Sequence, residues 1–177
     1  MMKSNEKWGY INDANEVIIP FEYQVLNSFI DGRALAKKDD YWGMIDMNNQ
    51  VFLPFEYDNL IGESNGFINA NKRGFWGILN AKFETVVPFE YDRIDALDDY
   101  FRAEKNQKVG LFTKTGTMIL PAFYDALTID DYGLKVQKDG KYGLLNHNGE
   151  VIIPMIYDEL MYFNNGFSRV KKEMLTV

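Results

Sequence analysis

The chain has 177 residues, of which 46% are hydrophobic and 15% aromatic, and its formal net charge is −7 at pH 7. This apolar content suffices for one folded domain and excludes wholesale disorder. The acidic balance argues against nucleic-acid binding, which depends on phosphate contacts, and the lack of cysteine excludes disulfides, thiolate nucleophiles and cysteine-ligated zinc.

The first nine residues are polar and lack the apolar core of a secretory signal. No apolar stretch approaches the ~20 residues that a membrane span requires. We therefore expect a soluble cytoplasmic protein that binds no membrane. A mature protein whose signal had been removed would have the same sequence, so that alternative stays open.

One pattern of 33–34 residues recurs five times along the chain. All five prolines occupy a single repeat position, at intervals of 34, 34, 33 and 33 residues. Glycine lies eleven residues before each proline, tyrosine lies three residues after it, and all three tryptophans directly precede that glycine. The recurring residues are Trp8, Trp42 and Trp76; Gly9, Gly43, Gly77, Gly110 and Gly143; Pro20, Pro54, Pro88, Pro121 and Pro154; and Tyr23, Tyr57, Tyr91, Tyr124 and Tyr157.

This spacing predicts tandem structural repeats within one domain spanning residues 1–177. The repeat units run approximately over 2–35, 36–69, 70–102, 103–135 and 136–169, and a partial strand follows at 170–177. Val109 and Tyr142 replace tryptophan in the fourth and fifth copies.

In each copy, the segment after the glycine predicts a β-hairpin. An Asx residue or threonine opens the turn, and in four copies Asn or Gly follows three residues later, where positive φ is tolerated. Phe83 occupies this slot in the third copy, where a bulky side chain is strained, so we expect that turn to differ.

The second strand of the hairpin is rich in β-branched residues, and proline ends it because proline cannot donate to the ladder. The aromatic corner that follows is expected to bury its tyrosine ring and to satisfy the hydroxyl locally. The last strand of each copy alternates apolar and polar residues, as at Ala34 and Ala36, which indicates a half-buried strand. No segment has a helical period.

We therefore predict an all-β fold of hairpin-based repeats, because one unit cannot bury its apolar face without a neighbour. The repeats stack as an open β-solenoid or superhelical array. The alternative is a closed five-bladed propeller-like ring, in which the spare strand at 166–172 completes the first unit. In an open array, an unpaired terminal strand would promote dimerisation by edge pairing, and the oligomeric state stays open.

The repeated motif resembles that of the WG-repeat family of bacterial β-rich repeats. The segments that carry the resemblance are Lys7 to Tyr23, Trp42 to Asp58 and Trp76 to Asp92. The resemblance implies an all-β repeat array without shared catalytic residues.

The tryptophan slots have two interpretations. They form either a sugar-stacking ladder or packing between repeats, and the adjacent glycine and the Val109 replacement favour packing.

A lysine lies four residues before the tryptophan slot in four copies, at Lys38, Lys72, Lys105 and Lys138. Either these lysines form an anion-binding stripe, or they cover aromatic rings and pair with the aspartate that follows each tyrosine, at Asp58, Asp92, Asp125 and Asp158; we favour the pairing.

Acidic residues mark the loop before the alternating strand in four copies, and Asn164 and Asn165 occupy that loop in the fifth. The acidic residues are Asp31, Glu63, Asp98, Asp99, Asp130 and Asp131. Solvated surface charge is the simplest interpretation, because no spacing matches a known Ca²⁺ loop. If these loops bind something, a basic protein partner is favoured over Ca²⁺.

No nucleophile, phosphate-binding or metalloprotease motif is present, and the single histidine, His147, lies in a predicted turn. We expect no cofactor, metal site or catalysis, although paired carboxylates need no motif, which leaves a hydrolase as the least favoured alternative. The leading hypothesis is a protein-interaction or scaffold module, in its sharper form an acidic inhibitor or immunity protein against a basic toxin. Glycan or cell-envelope binding is the other alternative, and it requires an exposed row of tryptophan rings.

Overall fold

The computed structural model describes residues 6–64 and 66–173, without the side chains of Glu63 and Ser64. The chain forms two compact units, Met1–Phe89 and Glu90–Val177. The secondary structure of the described residues consists of twenty β-strands. No helix that could span a membrane occurs in this part of the chain.

The first unit contains one two-stranded sheet and two four-stranded antiparallel sheets. The two-stranded sheet consists of β1 (Trp8–Ile11) and β2 (Val17–Tyr23). The next sheet consists of β3 (Val25–Leu26), β4 (Arg33–Lys38), β5 (Tyr41–Asp46) and β6 (Val51–Tyr57). The third consists of β7 (Asn59–Ser64), β8 (Phe67–Lys72), β9 (Phe75–Asn80) and β10 (Thr85–Tyr91), and the division between the units falls within β10.

The second unit repeats this arrangement in the opposite order, with two four-stranded sheets before a two-stranded one. The first sheet consists of β11 (Arg93–Ala96), β12 (Tyr100–Lys105), β13 (Lys108–Thr113) and β14 (Met118–Tyr124). The second consists of β15 (Ala126–Asp130), β16 (Gly133–Lys138), β17 (Lys141–Leu145) and β18 (Val151–Tyr157). The last consists of β19 (Glu159–Leu160) and β20 (Val170–Lys171).

The prediction of an all-β array of hairpin-based repeats is confirmed. β20 pairs with β19 through Leu160 and Val170, and the alternative in which the C-terminal strand also completes the first unit stays a prediction. The boundaries of the sheets do not coincide with those of the predicted repeat units. Each predicted boundary falls within or beside the second strand of a sheet, because that strand is hydrogen-bonded to the Trp-Gly strand that follows it.

The turn between the second and third strands has two residues with positive φ. Asp39 and Asp40 have φ of 51° and 70°, and Asn106 and Gln107 have φ of 52° and 62°. Two consecutive residues of this kind form the type I′ turn that suits the twist of a β-hairpin. This tight turn fixes the register of the two central strands.

The turn between the third and fourth strands follows the predicted pattern. The Oδ1 of Asn12 accepts the backbone N–H of Glu16 at 2.8 Å, and Asn15 has a φ of 63°. The expectation that the Phe83 turn would differ is wrong: Phe83 has the same φ of 63°, and its N–H donates to the Asn80 carbonyl at 2.8 Å. The Phe83 ring contacts the Phe52 ring edge-on at 5.8 Å, and this packing offsets the backbone strain.

A bulge in the fourth strand explains the glycine of each Trp-Gly pair. The register shifts between the pairs Trp42–Tyr57 and Met44–Leu53, which brings the backbone around the proline against Gly43. A Cβ on Gly43 would lie 2.7 Å from the Leu53 carbonyl oxygen. The equivalent glycines, Gly9, Gly77, Gly110 and Gly143, each have a neighbouring atom within 2.9 Å of such a Cβ.

The core lies between consecutive sheets. In the first unit, Ile19 and Tyr23 of the first sheet pack with Ala34, Ala36 and Ile45 of the second. In the second unit, residues of β13 and β14 pack with residues of β16 and β17 in the same way. Within each unit, these sheets therefore bury their apolar faces against a neighbouring repeat.

Candidate interaction surface

The acidic residues singled out in the sequence lie at the hairpin that joins the first two strands of each sheet. Asp31 is in the tip between β3 and β4, and Asp98 and Asp99 are in the tip between β11 and β12. Asp130 ends β15, and Asp131 follows it. The Glu63 backbone lies in β7, but its side chain is outside the described residues.

Apolar side chains lie beside these carboxylates. Ile30, next to Asp31, is 74% exposed, and Tyr132, next to Asp131, is 44% exposed. Leu97 precedes Asp98 and is also exposed. Each of these tips therefore presents an acidic and an apolar group to solvent at adjacent positions. Among the described residues, no three His, Asp or Glu side chains are grouped to hold a metal ion.

A groove runs beside the tip in the first unit. Its volume is about 590 Å³, and its lining includes Ile30, Asp31, Leu35 and Met44. Arg33 also lines it, and its guanidinium carbon lies 4.2 Å from the centroid of the Phe52 ring. The lining of the groove thus combines apolar side chains with the carboxylate of Asp31 and an arginine in cation–π contact with Phe52.

Hydrogen bonds order the tip in the fourth four-stranded sheet. Asp130 Oδ1 accepts the backbone N–H of Tyr132 at 2.9 Å, and the Asp130 carbonyl lies 3.0 Å from His147 Nε2. The Tyr132 ring stacks on Phe163 with a centroid distance of 5.0 Å. His147 therefore lies in the predicted turn, and it links that turn to the acidic tip.

The tryptophan slots are not uniformly exposed. Trp8 is 59% exposed, but Trp42 and Trp76 are half-buried, and Val109 is 2% exposed. Trp42 packs against a core cluster of the first unit. The three indoles therefore do not form the exposed row that a sugar-stacking ladder requires.

The repeats that contain the Trp-Gly hairpin also identify the family of the chain. A model of the WG containing repeat matches residues 8–42, 42–74, 76–108 and 142–173, which make up more than half of the chain. The chain belongs to the WG-repeat family. The segment between the last two matches, 109–141, begins at Val109, the residue that replaces tryptophan in the fourth WG repeat.

No curated protein matches the chain. Among solved structures, PorZ of Porphyromonas gingivalis is described as an essential bacterial surface component of the type-IX secretion system. It is 10% identical, with a TM-score of 0.32, and the match covers 94% of this chain but 29% of PorZ. At that TM-score the likeness carries no argument.

The lysines of the WG repeats have different partners from those predicted. Lys38 Nζ lies 2.9 Å from Glu22 Oε2 and 5.8 Å from the centroid of the Tyr23 ring. This hydrogen bond lowers the pKa of Glu22. The equivalent pairs are Lys72–Glu56 at 2.8 Å and Lys105–Glu90 at 3.0 Å. The predicted pairing with the aspartate after each tyrosine is therefore wrong, but each of these lysines does lie over its tyrosine ring.

The fourth WG repeat lacks this glutamate, and its lysine contacts an aromatic ring instead. Lys138 Nζ lies 3.3 Å from the centroid of the Phe123 ring. Asp125 and Asp158 do form ion pairs, but with Lys108 and Lys141, the lysines that follow the type I′ turns. These hydrogen bonds lower the pKa of both aspartates.

The residue after each repeat tyrosine has a role that the sequence did not reveal. Asp58 Oδ2 accepts the backbone N–H of Gly74 at 3.0 Å, and Asp92 Oδ2 accepts that of Asn106 at 2.6 Å. In the first copy, Gln24 Oε1 accepts the N–H of Asp40 at 2.7 Å. These side chains therefore hold the type I′ turns in place. An Asp or Gln side chain, which can accept a hydrogen bond, recurs directly after the tyrosine of every repeat, and this recurrence is the sequence signal for the role.

Proposed function

We propose that this WG-repeat chain is a non-catalytic protein-interaction module whose hairpin tips contact a basic protein. The observation that carries the proposal is the adjacency of exposed carboxylates and exposed apolar side chains at the tips, as at Ile30–Asp31 and Asp131–Tyr132. Protein interfaces combine apolar and aromatic contacts with charges that set orientation.

The charge of the chain supports a basic partner. The formal net charge of −7 favours the approach of a positively charged protein and repels an acidic one. In its narrower form, the proposal is an inhibitor or immunity protein that masks a basic toxin. The groove of about 590 Å³ beside Asp31 provides space for a side chain of such a partner.

The test compares two variants with the same change in net charge. Asp98→Lys with Asp131→Lys alters the tips, and Glu6→Lys with Asp13→Lys alters exposed acidic residues elsewhere. Each protein is immobilised and exposed to host lysate at low and high salt, and captured proteins are quantified by mass spectrometry. We expect the tip variant alone to lose the proteins of high isoelectric point.

Two results would contradict the proposal. Equal loss in both variants would show that capture depends on net charge and not on the tips. Equal retention in both would show that the carboxylates at the tips make no contact with the partner.

A further inference from the structure

Arg33 lies at a position of the repeat where the other copies have no charge. It is the first residue of β4, and its guanidinium carbon lies 4.2 Å from the centroid of the Phe52 ring and 5.5 Å from that of the Phe83 ring. The residues at the same repeat position in the other copies are Phe67, Tyr100, Gly133 and Phe167. In the second unit, Tyr100 packs against the core cluster of that unit. The packing of a repeat therefore does not require a cation at this position.

Both rings beside Arg33 also depart from the repeat. At the position of Phe52 the other copies have Ile18, Val86, Ile119 and Ile152. At the position of Phe83 they have Asn15, Asn49, Gly116 and Gly149. Phe83 keeps the positive φ of this turn, at 63°, which Asn and Gly tolerate better than a bulky residue does. Three departures from the repeat, one of them strained, therefore meet at one guanidinium group within the first unit.

The two rings hold the Arg33 side chain without neutralising its charge. Among the residues whose side chains the structure describes, no carboxylate forms an ion pair with Arg33. Asp46 lies opposite Arg33 on β5, but its Oδ1 accepts the backbone N–H groups of Asn48 and Gln50. A guanidinium that rests on aromatic rings still presents a fork of N–H donors, which fits a carboxylate. Because the rings already restrict the side chain, binding an anion costs little further rotamer entropy.

The groove beside Asp31 places an apolar surface next to this cation. Along β4, Arg33 and Leu35 alternate with the buried Ala34, so they share one face of the sheet. Leu35 lies opposite Met44 on β5, and both line the groove, whose volume is about 590 Å³. Two residues along a strand span about 7 Å. The guanidinium and the apolar lining are therefore close enough to contact the same terminal residue of a bound chain.

Polar side chains form another part of the lining. They belong to Asp31, Asn27 and Ser28. These groups can pair with main-chain amides or with a basic side chain, which a peptide has and a simple fatty acid lacks. The volume lies within the range of about 300–1,000 Å³ that is typical of ligand sites, so it accommodates the last few residues of a chain.

We propose that this groove binds the C-terminus of a partner protein whose last residue is apolar. The α-carboxylate contacts Arg33, the last side chain packs on Leu35 and Met44, and a basic residue shortly before it faces Asp31. A C-terminal residue carries a carboxylate and an apolar side chain together, which no internal acidic residue does. The proposal rests on the interaction function proposed above, and names the part of the partner that contacts the first unit.

Charge complementarity favours this occupant. The groove has one cationic and one anionic side chain in its lining, and the whole chain has a formal net charge of −7. A free apolar acid would pair with Arg33 but would meet the carboxylate of Asp31 and the negative field of the chain. A basic chain that ends in an apolar residue satisfies both charges in the groove and is attracted by the net charge.

Selection from a peptide library is the first test. The full chain is exposed to phage that display peptides with randomised last residues and a free C-terminus. We expect enrichment of peptides with an apolar last residue and with Lys or Arg shortly before it, and no such enrichment on the Arg33→Phe protein. Equal enrichment on both proteins, or no enrichment on the full chain, would overturn the proposal.

Titration calorimetry then tests the role of the α-carboxylate. The enriched peptide should bind about 10- to 100-fold more tightly than the same peptide ending in an amide, which is the effect of a hydrogen-bonded contact between charged groups. The N-acetyl derivative of its last residue is added as a competitor. If this small acid displaces the peptide with an affinity equal to that of the peptide, the assignment to a protein C-terminus is wrong.

Matched substitutions separate recognition from packing. Arg33→Phe introduces the residue that two other copies have, so the variant is expected to fold, and the acid and amide peptides should bind to it equally. Phe83→Asn introduces the residue of the first two copies and removes one ring, and it should reduce the preference for the acid. Arg73→Gln is the control, since it removes one charge from an exposed turn between β8 and β9 and should leave binding unchanged. A preference for the acid that survives Arg33→Phe would overturn the proposal.

The failure of this proposal is distinguishable from the failure of the proposed function. The residues that the lysate experiment replaces, Asp98 and Asp131, belong to the second unit, and the groove belongs to the first. Capture of basic proteins that depends on the tips, without peptide binding in the groove, would overturn the C-terminus assignment alone. Peptide binding without such capture would contradict the contact at the tips and support the assignment of the groove.

Discussion

The phenol of Tyr23 donates a hydrogen bond to Asn49 Oδ1 over 2.7 Å. Tyr23 ends β2, and Asn49 lies in the turn after β5, so this bond joins two consecutive sheets of the first unit. Tyr23 is 2% exposed and Asn49 has a φ of 61°. The turn residue therefore both tolerates the left-handed backbone and satisfies the buried hydroxyl of the preceding repeat.

A double-mutant cycle tests this link. Tyr23→Phe should lower the free energy of unfolding by about 0.5–1.5 kcal/mol, the net contribution of a typical hydrogen bond. Asn49→Gly removes the acceptor and keeps the positive φ accessible. Urea denaturation of both single variants and the double variant is expected to give a non-zero coupling energy. Strictly additive effects would show that the bond does not form in solution.

The sequence predicted those features that depend on local chemistry. The alternation at Ala34 and Ala36 identified two core positions, which are 2% and 0% exposed, because a strand sends alternate side chains to opposite faces. The Asx turns followed equally from residue type. The partner of Lys38 could not be predicted, because Glu22 lies in a different sheet and the stacking of sheets sets that distance.

At the acidic tips, too, the sequence predicted the local structure but not the tertiary contact. The loop position of Asp98 and Asp131 could be predicted from sequence. The contact between His147 and Asp130 could not, since it joins two turns of one sheet that are 17 residues apart in the chain.

Gly43→Ala should destabilise the protein, because its Cβ would lie 2.7 Å from the Leu53 carbonyl oxygen and 2.9 Å from Phe55 Cδ1. Forced overpacking of this kind costs about 1–3 kcal/mol. Gly62→Ala is the control, since a Cβ there has no atom within 4 Å. Thermal and urea unfolding measure both variants, and a Gly43→Ala protein as stable as Gly62→Ala would contradict the bulge explanation.

The pair of Lys72 and Glu56 should show a small coupling energy. Both side chains are partly exposed, at 29% and 42%, and exposed ion pairs contribute about 0.2–1 kcal/mol. A double-mutant cycle with Lys72→Met and Glu56→Gln measures this coupling in urea. The same cycle with Lys72→Met and Asp58→Asn should be additive, and coupling there instead would restore the pairing first expected from sequence.

Alkaline pH should unfold the protein through its buried tyrosines. Burial raises the pKa of Tyr23 and of Tyr91 to about 12, from an ordinary value of 10. The folded state therefore holds these protons more tightly than the unfolded state does. The stability is complete below pH 10 and is lost as the pH rises towards 12.

Tyrosinate absorbance and circular dichroism, recorded together against pH, measure this loss. Tyr23 and Tyr91 should ionise in a late phase, above pH 10, together with the loss of β-structure. Tyr91→Phe should remove one group from the late phase. Ionisation of all tyrosines near pH 10 with the fold intact would contradict the assignment.

Phe83 lies at a φ of 63°, and its ring packs against a core cluster of the first unit. Phe83→Ala keeps the strained backbone and loses the ring, but Phe83→Gly loses the ring and relieves the strain. We expect the glycine variant to be more stable than the alanine variant by about 1 kcal/mol, the cost of a left-handed conformation for a residue with a Cβ. At Ala81, where φ is not positive, alanine should be more stable than glycine, because glycine loses more backbone entropy on folding. Urea unfolding of Phe83→Ala, Phe83→Gly and Ala81→Gly measures these differences, and an alanine variant at 83 as stable as the glycine variant would show that the turn relaxes without strain.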